Sequence, residues 1–100
     1  MPAEVLHTAN LKLALEACTA YRKGHAVRLG PIECRMLAVL MRAQGAPVAT
    51  ATLCQALWPA LEAPASTARV RGVAKRLRAK LRGLPIETIV REGYRLPLDA

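Results

Sequence analysis

Apolar positions along this chain change their period twice. In Asn10–Leu15 the leucines fall at 11, 13 and 15, the two-residue repeat of a half-buried strand. Ala17–Arg22 and Ala26–Leu29 are shorter runs of the same kind, separated by Lys23-Gly24, a turn signal. Val5–Thr8 is a further strand candidate. Alanine-rich runs also favour helix, so that reading of the first thirty residues stays open.

At Gly30-Pro31 the period lengthens. Proline suits a first helical position, where its missing N–H costs nothing. From Pro31 to Gln44, Cys34, Leu37 and Met41, with Met36 and Leu40, follow helical spacing, and Gly45 stands where a C′ glycine would end the helix. A second helix is expected over Thr50–Leu57, with Thr50 as N-cap and Trp58-Pro59 as its stop. A Pro- and Ala-rich loop, 59–65, follows. Ser66 or Thr67 then caps a third helix that runs to Arg82-Gly83. Beyond Pro85 the strand period returns in Ile86–Val90 and Tyr94–Leu96, a hairpin with Arg91-Glu92-Gly93 at its turn.

The third helix carries the chemistry. Val70, Val73, Ala74, Leu77 and Leu81 form one narrow apolar stripe. At about 100° per residue, the opposite face centres on Ala68, Gly72 and Ala79. Arg69, Arg76 and Lys80 flank that face on one side; Arg71, Lys75, Arg78 and Arg82 flank it on the other. Small residues at the centre let a helix approach a groove floor, and long cations at the edges reach phosphates or base edges. Gly72 in a helix interior costs about 1 kcal/mol relative to alanine, which a close approach would justify. A solvated basic face is the plainer alternative.

Charge sharpens this picture. The 100 residues, one domain by length, carry 15 basic and 7 acidic side chains, a net charge of +8. Such a balance favours a polyanionic partner, nucleic acid or an anionic membrane surface. Residues 65–100 hold nine of the cations and three of the acids, and no acid separates Glu62 from Glu87, a gap with seven Lys or Arg. A membrane-surface helix fits poorly, because the stripe is narrow, lacks Trp and Phe, and is needed by the core.

Other chemistries find little support. Cys18, Cys34 and Cys54 are widely spaced, with no CxxC and no histidine pattern beside them, and read as thiols in a reducing cytosol. No metal, cofactor or catalytic residue is expected: paired carboxylates, a Ser/His/Asp set and a phosphate loop are all missing. The start lacks a signal-peptide pattern, and no apolar stretch reaches the roughly 20 residues of a membrane span. A cytoplasmic protein is expected.

The order of elements and several residues resemble the OmpR/PhoB-type winged-helix effector domain of bacterial response regulators. Leu29 with Glu33, Leu37 and Leu40 is similar to that family's first helix, and Leu53 with Leu57-Trp58 to the end of its second. Val70, Arg76-Leu77-Arg78 and Lys80-Leu81 resemble its recognition helix, and Thr88 with Gly93-Tyr94-Arg95 its wing. The resemblance implies an α+β winged helix-turn-helix: an N-terminal antiparallel sheet over about 4–29, three helices within 31–82 and a hairpin wing at 86–97. It also implies that the third helix, about 66–82, enters the major groove of double-stranded DNA. Arg76 would then be the main candidate for a base contact. Lys75 and Arg78 would touch backbone or base edges, and Thr88 a wing phosphate; Glu33, Trp58 and Tyr94 would be structural. The loop 59–65 would face RNA polymerase, and the protein would act as a monomer or weak dimer on DNA.

The chain departs from the family in three places. Ala68 stands where arginine is usual, with Arg69 directly after it. The wing reads Thr88-Ile89-Val90-Arg91-Glu92-Gly93-Tyr94, so its arginine is displaced to Arg91, and a one-residue shift on a strand reverses the facing of a side chain. No receiver domain precedes the module in this sequence. Two functions follow: a sequence-specific transcriptional regulator, or a protein-interaction module that binds RNA polymerase or another regulator without reading bases.

Overall fold

The computed structural model describes residues 4–60 and 67–100. It opens on four short strands, β1 (Val5–His7), β2 (Leu11–Ala14), β3 (Thr19–Arg22) and β4 (His25–Arg28), paired antiparallel in that order. Leu11 and Leu13 are buried while Lys12 is exposed, so the alternating leucines do line one face. The strand expected from Ala17 begins only at Thr19, because Cys18 takes a left-handed φ of 47° in the β2–β3 turn. Lys23 and Gly24, at φ 50° and 78°, form the two-residue loop between β3 and β4, and Arg22 pairs with His25. Positive φ at both loop residues matches the right-handed twist of a tight hairpin.

Helix α1 (Pro31–Arg42) starts on its proline, as expected, with Gly30 as N-cap. It ends sooner than the sequence suggests. Gln44, not Gly45, takes the first left-handed position after the Ala43 cap, at φ 51°. Helix α2 (Thr50–Leu57) is capped by Ala49, so Thr50 is its first helical residue rather than its N-cap. The cause is a strand absent from the sequence reading: β5 (Val48–Ala49) pairs with the C-terminal hairpin and fixes the entry to α2.

Helix α3 (Thr67–Lys80) is shorter than anticipated at its end. Ser66 as a cap, and most of the 59–65 loop, lie outside the described residues. After Lys80 the chain closes on itself: the Arg82 N–H donates to the Ala79 carbonyl at 3.4 Å and the Gly83 N–H to Arg78 at 2.9 Å. Those two bonds satisfy carbonyls that a helix end leaves orphaned, with Arg82 in the left-handed position at φ 41°.

The wing is β6 (Glu87–Ile89) and β7 (Gly93–Arg95), and β7 lies between β6 and β5. Both strands are shorter than the runs read from the sequence, and Gly93 belongs to β7 rather than to the turn. Its role is close approach: a Cβ there would stand 1.9 Å from the Val48 carbonyl oxygen. Side chains from the first sheet, all three helices and the wing meet in one core, which includes Leu13, Leu37, Leu53, Leu77, Tyr94 and Leu96. No disulfide joins the three cysteines; burial, then the neighbouring Cys18, pushes the Cys34 thiol up to about 11, so it resists ionisation.

Candidate nucleic-acid interface

The apolar stripe of α3 settles the orientation of its cations. Val70, Val73, Ala74 and Leu77 are fully buried, and Leu81 nearly so, against α1 and α2. Ala68 and Ala79 face solvent with Gly72 half-exposed between them, and no acidic residue lies on the helix. Among the described residues nothing demands Gly72: a Cβ built there would meet only Arg76 Nη1, at an ordinary 3.6 Å.

The two cationic edges differ. On one edge, Arg76 Nε donates to Glu33 Oε2 at 3.1 Å and Lys80 Nζ to Glu33 Oε1 at 2.6 Å. Glu33 also accepts the Gly30 N–H at 2.9 Å, so a single carboxylate of α1 caps its own helix and holds α3. Burial by itself would raise the Glu33 pKa. The Lys80 and Gly30 hydrogen bonds, the Lys80 charge and the Arg76 bond outweigh it and hold the carboxyl below its usual value. Higher on the same edge, the Arg69 guanidinium lies 5.1 Å from the centre of the Trp58 ring, at the end of α2.

On the other edge Arg78 reaches the wing. Its guanidinium donates to the Ile86 carbonyl and, at 3.2 Å, to the Thr88 hydroxyl. Arg71, Lys75 and Arg82 are exposed, and no described residue pairs with their side chains. These three, with the small-residue strip, make the open cationic face. At the wing tip Arg91 and Glu92 are exposed, Arg91 in a left-handed turn at φ 63°, and Val90 is 80% exposed. Arg95, the last residue of the Gly-Tyr-Arg run, turns inward to Glu87 at 2.8 Å and to the Gly45 carbonyl at 2.9 Å.

The structure thus gathers Arg69, Arg71, Lys75, Arg76, Arg78 and Lys80 on one helix and puts Arg82 in the left-handed turn just past its end, with Thr88 beside Arg78 and Arg91 apart from them at the hairpin tip. Sequence reasoning missed Arg22. From β3 it donates to the Leu81 and Arg82 carbonyls at 2.5 and 3.0 Å, closing the C-terminal end of α3. Its only advance signal was an arginine at the last position of a strand beside a tight turn.

The family described as "Transcriptional regulatory protein, C terminal" matches residues 24–96, which run from the β3–β4 turn through all three helices and the wing. The chain belongs to that family. Its helix-and-hairpin arrangement is the OmpR/PhoB-type winged helix, and the family comprises transcription regulators rather than enzymes. The transcriptional regulatory protein CutR of Streptomyces coelicolor is 37% identical over 93 residues, 92% of this chain and 42% of CutR. The chain therefore spans less than half the length of that relative. The crystal structure of the DNA-binding domain of CpxR from E. coli superposes with a TM-score of 0.81 at 24% identity, covering 98% of this chain and all of that one. The Klebsiella pneumoniae RstA DNA-binding domain, solved in complex with its RstA box, gives a TM-score of 0.79 at 20% identity, covering 94% of this chain and 97% of that one. Among the described residues no helix is long and apolar enough to cross a membrane.

Proposed function

We propose that this winged helix is a sequence-specific, double-stranded DNA-binding transcriptional regulator, with α3 in the major groove and the 86–97 hairpin as wing. The observation that carries the reading is the outer face of α3. Ala68, Gly72 and Ala79 form a low strip, exposed Arg71 and Lys75 line its edge with exposed Arg82 just past the helix end, and no acid interrupts the helix. A smooth, narrow ridge bordered by cations suits a groove between two phosphate chains.

Within that geometry the cations take different tasks. Arg71, Lys75 and Arg82 are free to neutralise phosphates. Arg76 is half-exposed and held by Glu33 at 3.1 Å, so its guanidinium is pre-oriented beside Gly72, where a base edge would pass. Arg78 braces the wing against α3, and Thr88 keeps a hydroxyl lone pair for that bond rather than offering a proton only to phosphate. Arg91 supplies the wing's charge, opposed by Glu92.

Titration of duplex affinity against salt tests the reading. Neutralising about five phosphates gives a slope of log K on log salt near −4 to −5. A slope near zero, or no binding at about 50 mM salt, would leave the helix without a duplex partner. A protein-interaction module is the second reading. The exposed apolar Val90 at the wing tip favours it, in the place where the resembled family offers arginine. RNA polymerase contact through loop 59–65 belongs to that reading, and only Pro59 and Ala60 of that loop are described, both exposed.

A further inference from the structure

A second basic feature lies at the far end of α3. The β3–β4 hairpin and the C-terminal end of the helix enclose a cleft of about 490 Å³. Arg22, Lys23 and His25 line it from the hairpin; Lys80 and Arg82 line it from the helix. Its remaining walls are Ala26, Val27 and Leu81, and no carboxylate is among the lining residues. The volume falls within the roughly 300–1,000 Å³ typical of small-molecule sites.

A helix C-terminus ordinarily repels anions, because its unpaired carbonyls carry partial negative charge. Here Arg22 removes that obstacle. Its Nη1 takes up both the Leu81 and Arg82 carbonyls, at 2.5 and 3.0 Å, and so the guanidinium stands fixed between the helix end and the cleft. Arg22 Nε is buried and has no hydrogen-bond acceptor among the described residues. Lys23, His25 and Arg82 are exposed around it, and none has a partner for its side chain among the described residues.

We infer that this cleft is a binding site for a small phosphate-bearing anion of about nucleoside diphosphate size, which shares Arg82 with the open cationic face but lies beyond the Ala68–Gly72–Ala79 strip. The phosphates sit among Arg22, Lys23, His25 and Arg82, and the remainder of the molecule covers Ala26, Val27 and Leu81. Lys80 belongs both to the cleft and to the Glu33 pair, so occupancy is communicated to the ion pair that holds α3 on α1.

The test uses the full chain without DNA, which separates it from the duplex-binding reading. Pyrophosphate and adenosine diphosphate are titrated at constant ionic strength while backbone amide resonances are followed. Saturable one-to-one shifts are expected at 22–27 and 80–82, with adenosine diphosphate also moving Ala26 and Val27. The double variant Lys23→Ala, His25→Ala should weaken both ligands about tenfold or more, with unchanged melting temperature and unchanged duplex affinity. Three results would overturn the inference. One is no saturable shift up to millimolar ligand. Another is shifts centred on Arg71 and Lys75, which would indicate general attraction of anions to the basic helix. The third is a double variant that keeps its ligand affinity but loses duplex affinity, which would make the cleft a contact for the DNA backbone.

Discussion

Lys80 Nζ lies 2.6 Å from Glu33 Oε1, joining the last turn of α3 to the first turn of α1. Glu33 is buried; Lys80 and Arg76 are about half exposed. Removing the carboxylate therefore strands no buried cation, though it loses charge-assisted bonds to two side chains and to the Gly30 N–H.

A pH dependence follows from the lowered Glu33 pKa. A carboxyl whose folded pKa is below its unfolded value adds stability above the unfolded value, near 4.5, and loses it as pH falls through the folded value. Urea unfolding should show stability declining as pH is lowered below about 5. Glu33→Gln should reduce stability by about 1–2 kcal/mol at pH 7 and flatten that decline. An unchanged profile in the variant would remove Glu33 from the acid transition.

Gly72→Ala separates folding from recognition. Among the described residues the new methyl meets nothing closer than 3.6 Å, and alanine is the better helix former, so the melting temperature should rise with a gain of about 1 kcal/mol or less. Duplex affinity should fall about tenfold, because the methyl stands on the strip that meets the groove. A stabilised protein that binds DNA as well as before would show that α3 does not approach so closely.

Arg76→Ala and Lys75→Ala should differ in kind. Loss of Arg76 should cost about 1–3 kcal/mol on the best site and relax sequence preference at one position. Loss of Lys75 should weaken all duplexes alike and make the salt slope shallower by about one. Selection of bound sites followed by affinity titration distinguishes them; identical, sequence-blind losses would reduce Arg76 to a phosphate contact.

The wing should contribute less than α3. Arg91→Ala should give a modest loss, Glu92→Gln a modest gain and Val90→Arg a gain, each about 1 kcal/mol or less, the scale of one exposed charge contact. Affinities on one duplex check the order. If Arg91→Ala changed nothing while Val90→Arg abolished binding, the hairpin would not lie against DNA.

Gly93→Ala should prevent normal folding. Its Cβ would lie 1.9 Å from the Val48 oxygen and 2.9 Å from Ala49 Cα, both backbone atoms that cannot swing aside. A loss of more than about 3 kcal/mol is expected, read by thermal unfolding. Near-normal stability would mean that β5 and β7 can separate.

What could be read from the residues was decided by period and local turn chemistry. Leucines at 11, 13 and 15 marked β2, Lys23-Gly24 marked the β3–β4 turn, and the stripe from Val70 to Leu81 oriented α3. What escaped depended on distant partners. Val48–Ala49 is too short to show any period, and becomes a strand only because Gly93 lets β7 come alongside. Seven cations looked alike in sequence. Their division into Glu33-held, Trp58-stacked, wing-held and open groups needed α1, the end of α2 and the hairpin in place. Arg22 is 59 residues from the carbonyl it serves, a separation no local pattern reports.

That arginine limits how far the protein can be trimmed. The family match begins at residue 24, which makes the first three strands look dispensable. A fragment cut at that boundary would still contain every cation of α3 and the whole wing. It would also leave the Leu81 and Arg82 carbonyls without their guanidinium and take buried Leu11 and Leu13 out of the core. The module that holds the helix is therefore longer than the module that defines the family, and any graft or reporter fusion should carry β1 to β3 with it.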